Sequence, residues 1–116
     1  QPPELVTQSQ ARPLLQDGPE AEAWFCGDDV IAIGALSALR DAGLKVPGQV
    51  GILGLNDMEM AGWENIGLTT IRQPIAEIVA ASVALIEASI ADAARRPETR
   101  MLPCSLIERE TLRPLP

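Results

Sequence analysis

Alternating strand-like and helix-like segments constrain the fold of this chain more than any other feature. Ala23–Cys26 is a continuous apolar run of the length that buried strands have, and Gln49–Leu55 and Leu68–Ile71 are two further strand candidates. A helical pattern fills Asp29–Ala42, and a second, amphipathic one fills Pro74–Ala94. Because strand–helix–strand order brings successive strands into parallel pairing, the sequence predicts an α/β fold with a parallel sheet and flanking helices.

The two ends of the chain hold shorter predicted elements. Glu4–Thr7 is a candidate strand, Ala11–Gln16 has room for barely two helical turns, and a last strand lies within Met101–Glu108. Both cysteines, Cys26 and Cys104, stand in apolar runs. We therefore expect both thiols to be buried and reduced.

The composition excludes several kinds of chemistry. The 116 residues include no His, which rules out His-based acid–base catalysis and His-containing metal sites. The two Cys have no CxxC spacing, and the glycines form no GxGxxG turn, so we expect no metal and no dinucleotide cofactor. A net charge of -7 argues against this chain binding the phosphate backbone of a nucleic acid by itself. With neither a signal peptide nor a membrane span in sight, we expect a cytoplasmic protein.

Polar clusters follow two of the predicted strands. Asp28 and Asp29 come directly after the first run and Gly27, while Asn56 and Asp57 follow the second strand. The carboxyl ends of parallel strands share one edge of a sheet, where ligands bind, and carboxylate and amide groups hydrogen-bond sugar hydroxyls. The cluster therefore indicates a binding site; the competing interpretation is a simple helix N-cap and a simple turn.

The first predicted helix is apolar on more than one side. One apolar face can lie on the sheet while the other meets a partner chain. We expect a dimer surface formed by Val30, Ile33, Leu36 and Ser37. Trp63, in an irregular segment after the second strand, would either stack on a bound sugar or lie at a subunit interface.

Four blocks of the sequence resemble one family, the LacI/GalR-type transcriptional regulators. Trp24–Leu36 (WFCGDDVIAIGAL) resembles the family segment FCANDxMAxGAL, and Val46–Asp57 (VPGQVGILGLND) resembles VPxDVxVxGFDD. Leu68–Pro74 (LTTIRQP) resembles LTTVRQP, and Leu106–Thr111 (LIERET) resembles the closing LVxRxS. The blocks occur in the family's order and at its spacing, and together they cover most of residues 23–111.

The resemblance implies a type I periplasmic-binding-protein-like effector domain, of which this chain is the C-terminal part. In that family an effector sits in a cleft between two α/β subdomains and changes how a dimer holds two helix-turn-helix heads on DNA. The family pattern assigns residues 1–67 to the C-terminal subdomain, residues 68–98 to a strand and helix of the N-terminal subdomain, and residues 99–116 to a return strand and tail. DNA would be bound only through a head outside this chain, and no membrane partner is implied.

The resemblance also implies roles for individual residues. The family's effector-binding Asn falls on Asp28 and its effector-binding Asp on Asn56, so acid and amide are exchanged here. Asp29 matches the family residue that caps the helix. Ile75 and Ile78 fall where apolar side chains wall the cleft from the other subdomain.

Taken together, the residues and the resemblance predict the effector-sensing and dimerisation portion of a regulator, and not an enzyme. The expected effector is a small metabolite, a sugar or sugar acid, and the expected assembly is a homodimer. A sugar-type solute-binding protein of a transport system is the alternative, disfavoured by the LTTIRQP block and the lack of a secretion signal. A small enzyme using Asp28 and Asp29 is a further alternative, disfavoured because no His, metal set or phosphate loop accompanies them.

Overall fold

A computed structural model describes residues 21–114 of the chain. Within these residues the chain forms four strands, two α-helices and one 3₁₀ helix. They are β1 (Ala23–Phe25), α1 (Asp29–Asp41), β2 (Gly51–Leu55), the 3₁₀ helix (Glu59–Gly62), β3 (Thr70–Arg72), α2 (Ile75–Ala91) and β4 (Ser105–Ile107). The strand predicted at Glu4–Thr7 and the helix predicted at Ala11–Gln16 lie outside the described residues.

The strands form one sheet in the order β1-β2-β3-β4. β1 and β2 are parallel, with Trp24 opposite Ile52, and β2 and β3 are parallel, with Gly54 opposite Thr70. Parallel neighbours need a crossover connection, which α1 supplies between β1 and β2. The predicted α/β fold with a parallel sheet is therefore confirmed.

The core lies between α1 and the sheet. Ala32 and Leu39 on the helix are fully buried, as are Val50 directly before β2 and Ile52 within it. The helix ends where the sequence predicts, because Gly43 takes a left-handed conformation (φ 79°) and donates its N–H to the Arg40 carbonyl oxygen at 3.0 Å. Because α1 begins shortly after β1 and packs along the sheet, its N-terminus lies at the carboxyl ends of β1 and β2.

The described chain divides into two compact units. One contains the residues up to Arg72 together with those from Leu106, and the other is Gln73–Ser105. The sequence placed the boundary after Gly67, whereas the structure keeps β3 with the first unit, because β3 pairs with β2 and Thr70 is fully buried there. The assignment of the second unit to an N-terminal subdomain stays a prediction.

The second unit is built on α2, a 17-residue helix without a buried residue. Large apolar side chains along it are about half or more exposed, namely Ile75, Val79, Val83, Ile86 and Ile90, whereas Ile78 and Leu85 are partly buried. The helix is shorter than its predicted span, since Asp92 ends it and its side chain accepts the Ala94 N–H at 3.1 Å. No helix in the described part of the chain is long and apolar enough to span a membrane.

The two cysteines differ. Cys26 is buried, as predicted, and burial raises the pKa of its thiol. The prediction for Cys104 is wrong, because that side chain is exposed. The last strand forms only at Ser105–Ile107, so the apolar run before it gains no sheet to pack against, and Met101 is 89% exposed.

Candidate functional site

Two of the predicted site residues meet at the carboxyl ends of β1 and β2. Asp28 is the N-cap of α1, and its Oδ1 accepts the Val30 N–H at 2.8 Å. Its other oxygen, Oδ2, accepts a hydrogen bond from Asn56 Nδ2 at 3.1 Å. One oxygen of Asp28 therefore caps the helix, and the other faces the amide that follows β2, while the effector-binding role of Asp28 stays a prediction.

The turn after β2 has an unusual backbone. Asn56 and Asp57 both have positive φ, at 104° and 54°. For residues other than glycine such a conformation costs about 1–3 kcal/mol each and persists where the surroundings hold it. Here the Asn56 N–H donates to the Ile71 carbonyl oxygen at 2.8 Å, and the Asp57 N–H donates to Thr70 Oγ1 at 3.4 Å.

Asp29 has a different role from the one the family pattern implies. The N-cap is Asp28, and Asp29 is the first helical residue and fully buried. Its Oδ2 accepts the Met58 N–H at 2.7 Å, and its Oδ1 accepts the Thr70 hydroxyl at 2.6 Å. The expectation that Asp29 caps the helix is thus wrong, because its side chain turns inwards beneath the turn instead of back along the helix.

Asp57 is paired with two arginines. Its Oδ2 lies 2.6 Å from Arg72 Nη2, its Oδ1 lies 2.8 Å from Arg109 Nη2, and its side chain is 8% exposed. Burial acts to raise the pKa of this carboxyl, but the hydrogen bonds and charges of Arg109 and Arg72 outweigh burial and hold the pKa below its ordinary value. The sequence singled out neither arginine; each stands in a family-like block, which was the only signal available.

Trp63 lies in a surface groove with residues of the predicted dimer surface. The groove is lined by Ile33, Leu36, Ser37, Arg40, Met60, Trp63, Asn65 and Ile66. Trp63 is 49% exposed, whereas Ile33 and Leu36 are buried in the core of their own chain. Arg40 Nη1 donates to the Asn65 carbonyl oxygen at 3.1 Å, which ties the helix side of the groove to the loop side. Val30 is half-buried and is not part of the groove lining.

Ile75 and Ile78 lie at the start of α2, in the second unit. Ile75 is 60% exposed, and Ile78 lines a shallow cavity of that unit together with Ser82, Arg100 and Cys104. Their role as a cleft wall stays a prediction. Within residues 21–114, no group of three His, Cys, Asp or Glu side chains is placed to hold a metal ion.

The periplasmic binding protein-like domain matches residues 3–112. The chain belongs to this family. The Escherichia coli transcriptional repressor CytR is 36% identical over 93% of the chain and 32% of its own length. The chain thus spans about a third of the length of this curated relative.

Two solved structures of LacI-family regulators show the same fold. A LacI-family transcriptional regulatory protein from Corynebacterium glutamicum has a TM-score of 0.72 and 36% identity, covering 96% of this chain and 43% of its own. A LacI-family regulator from Enterococcus faecalis, solved with bound ribose, has a TM-score of 0.78 and 29% identity, covering 97% of this chain and 42% of its own. The resemblance to LacI/GalR-type regulators and the periplasmic-binding-protein-like fold are confirmed, and the chain corresponds to part of such a domain. These relatives are named as transcriptional regulators and not as enzymes.

Proposed function

We propose that this chain is the effector-sensing and dimerisation portion of a cytoplasmic LacI-type regulator. It binds a sugar or sugar acid and thereby modulates DNA binding by a helix-turn-helix head. The observation that carries the proposal is the contact between Asp28 and Asn56 at the carboxyl ends of two parallel strands. The relative solved with bound ribose supports a sugar as the effector.

The chemistry of the pair suits a polyhydroxylated ligand. The carboxylate of Asp28 can only accept hydrogen bonds, whereas the amide of Asn56 both donates and accepts. A sugar hydroxyl can donate to the first and accept from the second. Asn56 is exposed and Asp28 half-buried, so both can be reached from solvent. We assign the direct contacts to these two residues and a supporting role to Asp57, whose carboxylate is held by Arg72 and Arg109.

The sensing step is a population shift. An effector that binds one arrangement of the effector domain more tightly than another changes the proportion of the two, and with it the affinity for DNA. We also propose that Ile75 and Ile78 supply apolar contacts to the effector.

Substitution of the two contacts tests the effector site. Calorimetry of the full-length protein with D-ribose, cellobiose and D-galacturonate identifies a binding sugar. Asn56→Ala and Asp28→Ser should then each weaken its affinity by about 10- to 100-fold, the effect of losing a hydrogen bond to a charged or well-placed polar group. Serine at position 28 keeps an oxygen for the helix cap, so the fold is preserved.

Asp41→Ala is the matched control, because this exposed acid lies at the opposite end of α1. It should leave the affinity within about twofold, as expected of a surface substitution away from the site. Unchanged sugar affinity in both Asn56→Ala and Asp28→Ser would remove the site assignment.

A second copy of the chain is the proposed occupant of the Trp63 groove. Half-exposed aromatic side chains in grooves are common anchors of protein interfaces, and Met60 and Arg40 beside Trp63 are residue types enriched there. Trp63→Asp should convert a dimer to a monomer in sedimentation analysis. Phe25→Asp is the control, because Phe25 is 65% exposed but lies on β1, outside the groove lining. A Trp63→Asp protein that stays dimeric would place the interface elsewhere.

A further inference from the structure

The side chain of Asn56 is presented by a turn that the residues beneath it hold in place. Gly54, Asp29 and Thr70 form this support, which we call the turn scaffold. We propose that Asp29 and Thr70 are positioning residues that set effector affinity by fixing the Asn56–Asp57 turn, without touching the effector themselves. The inference rests on the proposed effector site and deepens it.

The first argument is the consecutive placement of the hydrogen bonds. Three successive backbone N–H groups, those of residues 56, 57 and 58, each meet an acceptor. The acceptors are the Ile71 carbonyl oxygen, Thr70 Oγ1 and Asp29 Oδ2, at 2.8, 3.4 and 2.7 Å. Two of the three acceptors belong to side chains of the turn scaffold, so the path of the turn depends on those side chains.

The second argument is that Asp29 and Thr70 act as one unit. The Thr70 hydroxyl donates to Asp29 Oδ1 at 2.6 Å, and both side chains are fully buried. Since its hydrogen is committed to Asp29, the hydroxyl oxygen of Thr70 offers a lone pair to the Asp57 N–H. Removal of either side chain leaves a buried polar group of the other without its partner.

The third argument is the absence of a side chain at position 54. A Cβ at position 54 would overlap Asp29 Oδ1 and would lie 2.9 Å from Leu68 Cδ2. Asp29 can therefore reach the turn only because residue 54 is glycine. A glycine in the middle of a strand packs less well than other residues, and here the space it leaves is filled by the scaffold carboxyl group.

The fourth argument concerns the conformation that the turn scaffold maintains. Glycine would take the positive φ of position 56 without strain, but it would have no amide to meet Asp28. Asparagine supplies that amide, and it tolerates positive φ better than most residues but less readily than glycine. The scaffold therefore resolves a conflict between the backbone of this position and its side chain.

A matched pair of substitutions separates positioning from plain stability. Thr70→Val and Thr111→Val make the same isosteric change at two buried positions. Each removes a hydroxyl with two hydrogen bonds; that of Thr111 donates to the Ile52 carbonyl oxygen at 2.8 Å and accepts the Thr69 N–H at 2.9 Å. Only the Thr70 hydroxyl contacts the turn.

Amide hydrogen exchange in the ligand-free, full-length protein measures how well the backbone N–H groups of the turn are protected. Thr70→Val should speed exchange of the residue 57 and 58 amides at least tenfold relative to the amides of the C-terminal half of α1, which serve as an internal reference. Thr111→Val should leave that ratio unchanged. Thr70→Ser keeps the hydroxyl and should restore the wild-type ratio. Equal ratios in Thr70→Val and Thr111→Val would overturn the proposal, because the scaffold would then only stabilise the fold.

Titration with D-ribose adds the functional result. Thr70→Val should weaken D-ribose binding about tenfold, Thr70→Ser should restore it, and Thr111→Val should stay within twofold of wild type. Wild-type affinity in Thr70→Val, beside a weakened Asn56→Ala, would overturn the positioning role while leaving the effector site intact. If Asn56→Ala itself binds D-ribose normally, the proposed site fails. The claim that Asp29 and Thr70 set effector affinity then fails as well, because Asn56 would make no effector contact. The exchange ratio would still show whether the turn scaffold holds the turn.

Should Thr70→Val not fold, Gly54→Ala tests the turn scaffold through Asp29 instead of Thr70. The added methyl group cannot coexist with Asp29 in its present position, so the carboxyl group must move away from the Met58 N–H. Exchange of the residue 58 amide should then rise at least tenfold relative to the amides of the C-terminal half of α1. An unchanged ratio in a folded Gly54→Ala protein would contradict the proposal.

Discussion

The two units of the chain contrast sharply in what their apolar residues accomplish. In the first, α1 packs on the sheet, and Leu36, Leu39 and Ile52 are almost completely buried. Within the described part of the chain, no buried side-chain nitrogen or oxygen lacks a hydrogen-bond partner. In the second unit, α2 has an apolar row along its length and no buried residue.

The contrast shows that apolar content and burial are separate properties of a helix. α2 carries only Glu77 and Glu87 as charged residues in 17 positions, yet most of its large apolar side chains stay exposed. A contiguous exposed apolar surface of this kind is typical of a face that packs against another part of the protein or against a partner protein. The family resemblance implies that an N-terminal subdomain packs against this face of α2. This packing stays a prediction.

The largest effect should come from the core of the first unit. Leu39 has no exposed surface, so Leu39→Ala removes a packed side chain and leaves a cavity. We expect a loss of about 2–5 kcal/mol in the free energy of unfolding. Urea denaturation measures it, and a loss below about 1 kcal/mol would mean that the core is looser than its burial indicates.

An intermediate effect is expected at Asp57. Asp57→Asn removes the charge that holds Arg109 and Arg72, at an expected cost of about 1–3 kcal/mol at pH 7. Burial acts to raise the pKa of Asp57, but the two arginines lower it overall, so the folded pKa lies below the unfolded value of about 3.9. The stabilisation is therefore fully present above that value and is lost as the pH falls through the folded pKa.

Denaturation at several pH values checks this sign. The difference in unfolding free energy between wild type and Asp57→Asn should be largest near neutral pH and should shrink below pH 4. A difference that stays constant down to about pH 2 would show that the carboxylate charge is not what Arg109 and Arg72 recognise.

The sequence predicted the elements better than their long-range polar contacts. The start and end of α1 follow from Asp28 and Gly43, whose preferences are local. The meeting of Asp28 with Asn56 follows from a general property of parallel sheets, whose strands end at a common edge. Local pattern and topology were sufficient for these features.

The support of the site was not predictable in the same way. Asp57 pairs with Arg109 across 52 positions, and Asp29 with Thr70 across 41. No periodicity or turn preference marks such pairs, because they depend on which side chains two packed elements happen to face. The same limit explains why the predicted cap role of Asp29 was wrong. An aspartate suits a helix cap as well as a buried hydrogen-bond acceptor, and its residue type alone does not distinguish the two.

The smallest effect should come from α2, and it sharpens the comparison most directly. Ile86 is 60% exposed, so Ile86→Ala should change the stability of the chain by no more than about 0.5 kcal/mol. In the full-length protein the same substitution should cost about 1 kcal/mol or more if another part of the protein buries this face, since a buried large-to-small change is costly. Urea denaturation of both proteins with and without Ile86→Ala gives the two values. Equal small values would mean that α2 stays uncovered at Ile86 in the full-length protein as well, and the contrast between the units would then be a property of the regulator rather than of the chain alone.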